Sequence, residues 1–117
     1  DGCSFPYLAA IVIPQQLGGS SQENVDYWND RFYDACNNHD YCYGTSGVTK
    51  ASCDEGFKRE MIDLQCDYGN DSTCFGVAMI YYSGVVHLGG DAFNNGQDCG
   101  CTEDGNTTMS GSARDDR

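Results

Sequence analysis

Eight cysteines in a chain of 117 residues constrain this sequence more than any other feature. A domain of this size buries a core too small to leave much stability once conformational entropy is subtracted, so covalent staples are expected. Cys3, Cys36, Cys42, Cys53, Cys66, Cys74, Cys99 and Cys101 form an even set, which reads as disulfides made in an oxidising compartment. Zinc is the rival use of such residues. No C-x-x-C pair is present and Cys99-Gly100-Cys101 has no matching partner pair, so the cysteines are assigned to bridges.

Six basic residues against eighteen acidic ones give a net charge of −12, which argues against a nucleic-acid partner, because phosphate binding draws its affinity from clustered Lys and Arg. The same acidity opposes adsorption to anionic membranes, favours zwitterionic lipid surfaces and eases the binding of divalent cations. No apolar run approaches the ~20 residues that span a bilayer, and Leu8 to Ile13 reads as a buried strand-like or loop segment. A soluble, secreted chain whose leader has been removed is the expectation, and the acceptor patterns at Asn70 and Asn106 agree with it.

Residues Asp1 to Gln22 carry both prolines and several glycines without helical period, and read as an ordered loop followed by a turn at Gly18-Gly19-Ser20-Ser21. From Val25 the pattern changes. Val25, Trp28, Phe32, Cys36, His39 and Tyr43 recur at three- and four-residue steps, predicting one long helix with a single buried stripe. Ser52 to Glu55 has the form of a capping box opening a second helix, with Cys53, Asp54, Phe57, Met61 and Leu64 inward. A third, capped by Ser72 and closed by Gly89-Gly90, would turn Phe75, Ala78, Met79, Tyr82, Val85 and Val86 inward. The expected fold is mainly α: a disulfide-stapled three-helix domain over residues 1–101, with two antiparallel helices and an N-terminal loop. Residues 102–117 are too polar to bury much and read as a flexible tail.

His39 and Asp40 are adjacent on a helix and so face different directions, whereas Cys36 and Tyr43 lie one turn to either side of His39 on its own face. If Cys42 bridges Cys53, their α-carbons lie within about 7 Å and Asp54 is carried to the side of the helix that bears His39. A carboxylate there would fix the imidazole tautomer and stabilise the imidazolium, as a histidine general base requires, and Tyr43 could keep that carboxylate ionised. A bridge from Cys36 to Cys3 would likewise bring the N-terminal loop against the helix near Asp40. Loop carbonyls with a carboxylate and water form the oxygen-rich shell that calcium takes. His87, at the end of the third helix, suits a structural role beside the helix dipole. A metal-dependent phosphohydrolase would need more histidines than His39 and His87, and no Gly-x-Ser-x-Gly elbow is present, so water is the expected nucleophile.

Ala35-Cys36-Asn37-Asn38-His39-Asp40-Tyr41-Cys42-Tyr43 resembles the active-site helix of secreted phospholipases A2, Cys-Cys-x-x-His-Asp-x-Cys-Tyr, and Cys53-Asp54-Glu55-Gly56-Phe57 resembles their second catalytic helix. Asp1 to Pro6, Val85 to Gly89 and Cys99-Gly100-Cys101 are similar to group-twelve and conodipine-like members. The resemblance implies a calcium-dependent hydrolase of the sn-2 ester of glycerophospholipids. His39 would be the base, Tyr43 and Asp54 its orienting partners, Asp40 the calcium carboxylate, and Gly2, Ser4 and Pro6 the carbonyl ligands, with the Ser4 amide as an oxyanion donor. Ala35 stands where the family has a cysteine and Glu60 near its expected partner, so one bridge is absent as a pair. Ser4-Phe5-Pro6 replaces the family's glycine-rich calcium loop.

Cys3–Cys36 and Cys42–Cys53 are the bridges on which this reading rests. Pairing Cys66 with Cys74 would force Cys99 onto Cys101 with one residue between, so Cys66 and Cys74 are each expected to pair with Cys99 or Cys101, in an order the sequence leaves open. Phe5, Tyr7, Leu8, Ile11 and Trp28 would line an apolar approach for a phospholipid membrane or micelle, or serve as ordinary core. The rival function is a catalytically weak phospholipase-like binding protein or toxin subunit. Oligomeric state is not legible.

Overall fold

A computed structural model describes residues 2–3 and 11–99. Ser4, Phe5, Pro6, Tyr7, Leu8, Cys101, Asn106 and the tail expected at 102–117 lie outside the described residues, as does the side chain of Cys99.

The chain is mainly helical, with five α-helices where three were expected, and no strand among the described residues. The stripe that begins at Val25 is continuous, but the helix is not. Ser21 caps α1 (Gln22–Arg31), its hydroxyl accepting from the Asn24 amide, and α2 (Tyr33–Tyr43) follows after Phe32 leaves the helical region at φ −95°, ψ 14°. Trp28, Phe32, Cys36, His39 and Tyr43 are nevertheless all buried. The bend at Phe32 preserves the inward register while α1 turns away from α2, and the Phe32 ring stacks on Trp28 at 5.6 Å and meets Tyr81 edge-on at 5.2 Å.

α3 (Lys50–Glu60) begins earlier than the capping-box reading implied. Thr49, extended at φ −100°, ψ 149°, is the cap and accepts from the Ser52 amide at 3.1 Å, which makes Ser52 the third helical residue. A single π-helical turn, Met61–Gln65, then widens the spacing of the buried stripe. Met61 and Cys66, five residues apart, are both fully buried, and Leu64, expected inside, is 68% exposed. α4 (Ser72–Leu88) is capped by Asp71 rather than Ser72, the Asp71 side chain accepting from the Cys74 amide at 3.1 Å. Its inward face is Cys74, Val77, Ala78, Tyr81 and Val85, one step round from the expected face, so Phe75 and Val86 are exposed. The Cys66–Cys74 disulfide decides that phase by fixing Cys74 inward. It also corrects the crossed pairing expected for these two cysteines. The loop it closes, with sequence separation 8, is shorter than any that would run from Cys66 or Cys74 to Cys99 or Cys101.

After Gly89 the chain does not stop but enters α5 (Gly90–Cys99), a Gly- and Asn-rich segment with weak helix propensity of its own. Packing holds it. Gln97 Nε2 donates to the carbonyls of Tyr43 at 2.9 Å and Thr45 at 2.7 Å, satisfying the C-terminal end of α2, and Phe93 meets the Tyr43 ring edge-on. Arg31 ties the opposite end of the molecule, donating to the Gln65 carbonyl at 2.8 Å and pairing with Asp71 at 3.0 Å.

Candidate active site

α2 and α3 run antiparallel, as the contacts between them show: Cys42 is bridged to Cys53, His39 meets Asp54 and Phe57, and Asn38 reaches Glu60. The bridge fixes the register at the turn, and His39, one turn before Cys42, meets Asp54, the residue after Cys53. Their separation is 2.8 Å, between Nε2 and Oδ1, with both residues buried. Tyr43 donates its hydroxyl to the same Oδ1 at 2.7 Å. The three groups assigned from the sequence as base and orienting partners therefore meet in one hydrogen-bonded cluster.

A fourth member was not foreseen. Lys50 Nζ donates to the other carboxylate oxygen, Asp54 Oδ2, at 2.7 Å. Its spacing of four residues from Asp54 was visible, but the capping-box reading opened the second helix at Ser52 and left Lys50 outside it. Burial pushes the Asp54 carboxyl up. The hydrogen bonds from His39, Lys50 and Tyr43 outweigh it and hold the group below the ordinary carboxylate range. An ionised Asp54 only accepts, so the network assigns the proton of neutral His39 to Nε2 and leaves the lone pair on Nδ1. The ring is held between Tyr43 at 4.2 Å and Phe57 at 4.6 Å, and the side chain is wholly removed from solvent. A cavity of about 170 Å³ opens beside it, lined by His39 itself with Asn38, Ser52, Gly56, Phe57 and Glu60, with room for several waters.

α5 closes the other side of Tyr43. A β-carbon at Gly96 would lie 2.5 Å from the Tyr43 carbonyl oxygen, and one at Gly89 would lie 2.7 Å from its hydroxyl. Glycine is required at both positions by close approach. At Ala35 and Glu60, where the sequence lacks a bridge, Ala35 is fully buried and both Glu60 carboxylate oxygens accept from Asn38 at 3.0 and 3.1 Å. That contact is a polar link between the two helices.

The Cys3–Cys36 disulfide pins the start of the chain to α2, one turn before Asp40. The Gly2 amide donates to Asn37 Oδ1, and Gly2 adopts φ +66°, with a β-carbon there only 2.5 Å from the Tyr33 ring. Gly2 and Asp40 are thus brought to the same stretch of α2. Asp40 is half-buried, and that burial raises its carboxyl above the ordinary range. Its backbone carbonyl accepts from the Gly44 amide at 3.3 Å, and the neighbouring His39 ring acts against that upward push on the carboxyl. No group of three or more His, Cys, Asp or Glu side chains that could hold a metal stands among the described residues, so a cation at Asp40 would draw on backbone carbonyls. A hard carboxylate together with backbone carbonyls fits calcium, which takes oxygen ligands. The expected ligands Ser4 and Pro6 fall outside the described residues.

Of the apolar approach expected, Ile11 lines a groove of about 300 Å³ with Val12, Ile80 and Leu88, whereas Trp28 packs in the core. His87, exposed in the last turn of α4, borders that groove.

No protein-family model matches the chain, and no solved structure matches it significantly. A curated relative does: the chain is 33% identical over 73 residues to the group XIIA secretory phospholipase A2 of Mus musculus. The match takes in 56% of this chain, which spans 38% of the length of that relative. The similarity supports a phospholipase A2-like relationship. The disulfides fit a secreted protein, and among the described residues no helix is long and apolar enough to cross a membrane.

Proposed function

We propose that this chain is a secreted, calcium-dependent phospholipase A2 that hydrolyses the sn-2 ester of glycerophospholipids in membranes or micelles. The observation that carries the reading is the buried cluster in which Asp54 Oδ1 receives both His39 and Tyr43, one residue along the helix from a half-buried Asp40. A small secreted scaffold has no stability requirement for a buried base and carboxylate. The similarity to a secretory phospholipase A2 supports the same chemistry.

In this mechanism His39 Nδ1 accepts a proton from a water as its oxygen attacks the ester carbonyl. The imidazolium so formed is stabilised by Asp54, which stays ionised under its hydrogen bonds and fixes the ring through Nε2. His39 then returns the proton to the departing alkoxide, releasing fatty acid and lysophospholipid. Asp40 and the carbonyl of Gly2, with Ser4 and Pro6, are the residues that would hold calcium, which when bound supplies charge stabilisation at the ester carbonyl and phosphate. The chain's charge of −12 favours zwitterionic aggregates as substrate.

The test is release of free fatty acid from zwitterionic phospholipid vesicles, with calcium and with a chelator, by the wild type and His39→Gln. Calcium-dependent release that disappears in the variant is expected. Release that persists in His39→Gln, or that ignores the chelator, would refute the assignment. A folded wild type that releases nothing would favour the binding-protein alternative.

A further inference from the structure

Lys50 makes little sense as part of its own helix. It is the first residue of α3, where the helix dipole disfavours a cation, and it precedes its acidic partner Asp54 by four residues, the weaker order for such a pair. Yet the ammonium is fully engaged. Its three N–H groups have three acceptors: Asp54 Oδ2 at 2.7 Å, the Val85 carbonyl at 2.8 Å and the Val86 carbonyl at 3.1 Å. The last two belong to the C-terminal turn of α4, so the lysine joins the end of that helix to the buried carboxylate.

We infer that Lys50 is a positioning residue for the reaction proposed above: its ammonium, anchored on α4, pins Asp54 Oδ2 and so turns Oδ1 toward His39 and Tyr43. The inference deepens that reading and rests on it. Terminal carboxylate torsions are broad and roughly two-fold, and two donors sharing one oxygen leave the other oxygen to set the plane. With Oδ2 held by an ammonium fixed at two further points, rotation of the carboxylate would break three contacts at once. The Lys50 side chain is 24% exposed and that of Asp54 only 4%, so the contact is partly shielded from water, unlike a surface ion pair. A purely structural lysine would cap α4 without needing Asp54. The alignment of Oδ1 is what that account leaves unexplained.

The experiment compares Lys50→Met, which keeps the aliphatic stem, with Lys50→Arg, which keeps the charge. Three quantities are read: kcat and KM on zwitterionic vesicles, the thermal midpoint, and the ring-nitrogen resonances of His39 in protein labelled with nitrogen-15 histidine. In Lys50→Met we expect kcat to fall about ten- to a hundredfold, the usual cost of losing a group that orients a functional partner, with KM within twofold. The slowly exchanging Nε2 proton of His39 should broaden or move upfield. Lys50→Arg should recover part of both losses. Unchanged kcat and unchanged His39 resonances in a folded Lys50→Met protein would overturn the inference.

Should Lys50→Met not fold, the wild type decides the matter. A slowly exchanging Lys50 ammonium resonance with a through-bond coupling to the Asp54 carboxylate carbon is expected, and a freely exchanging ammonium without it would refute the pin. The resonance measurements do not depend on turnover, so a wild type without hydrolysis would sink the proposed function while still testing the positioning.

Discussion

Replacing Asp54 with asparagine keeps the shape of the side chain and removes its charge, at a group that receives His39 at 2.8 Å, Tyr43 at 2.7 Å and Lys50 at 2.7 Å. Hydrogen bonds to a charged group contribute roughly 1.5–3 kcal/mol each, but an amide oxygen can still accept from part of this set. The amide nitrogen, in turn, must face a donor. Breaking a buried ion pair typically costs about 3–5 kcal/mol, and the exposure of Lys50 argues for the lower end, about 3 kcal/mol. That is a large share of the ~5–15 kcal/mol that holds a small domain together. The pH dependence gives the sharper test. Asp54 is held below its unfolded value, so its contribution is fully present above that value, near pH 4, and is lost as pH falls through the lower folded value. Urea unfolding followed by circular dichroism, with disulfides intact, should show the full difference between wild type and Asp54→Asn at pH 7 and a much smaller one near pH 2. A difference that is the same at both pH values, or absent at pH 7, would refute the view that the ionised carboxylate organises the cluster.

Asp40→Asn should raise the thermal midpoint of the calcium-free protein, because burial raises that carboxyl and its ionisation at pH 7 therefore costs stability. Calcium at a hundred times its dissociation constant should stabilise the wild type by about 2.7 kcal/mol and the variant hardly at all, read by scanning calorimetry. Removing the Cys42–Cys53 bridge by double replacement with serine should cost about 3 kcal/mol from the closure of a loop with sequence separation 11. Fatty-acid release should fall with it, since that bridge sets the register of His39 and Asp54. Gly96→Ala would drive a β-carbon to 2.5 Å from the Tyr43 carbonyl, and a loss of about 1–3 kcal/mol with slowed fatty-acid release is expected; unchanged denaturation would mean that α5 does not pack on Tyr43 as described.

What the sequence determined by itself was whatever depends on nearest neighbours along a helix. The three- and four-residue spacing of Trp28, Phe32, Cys36, His39 and Tyr43 announces a buried stripe, and all five are buried even though the helix bends at Phe32. The adjacency of Cys53 and Asp54, once the bridge to Cys42 is granted, requires a carboxylate near His39, because a disulfide leaves little freedom to the residue beside it. Only the tertiary structure could decide the features that depend on what packs against what. The π-turn at Met61–Gln65 moved Leu64 to the surface, since one wide turn rotates everything after it, and periodicity assumes none. Cys66 chose Cys74 rather than a cysteine near the chain end. α5, poor in helix formers, exists because Gln97 and Phe93 meet the end of α2. Lys50 precedes the capping box read from the sequence, and becomes part of the site because the end of α4 brings two carbonyls to its ammonium. Spacing along one helix is encoded locally by its fixed turn, whereas a contact among three helices depends on their relative positions, which no single stretch of sequence specifies.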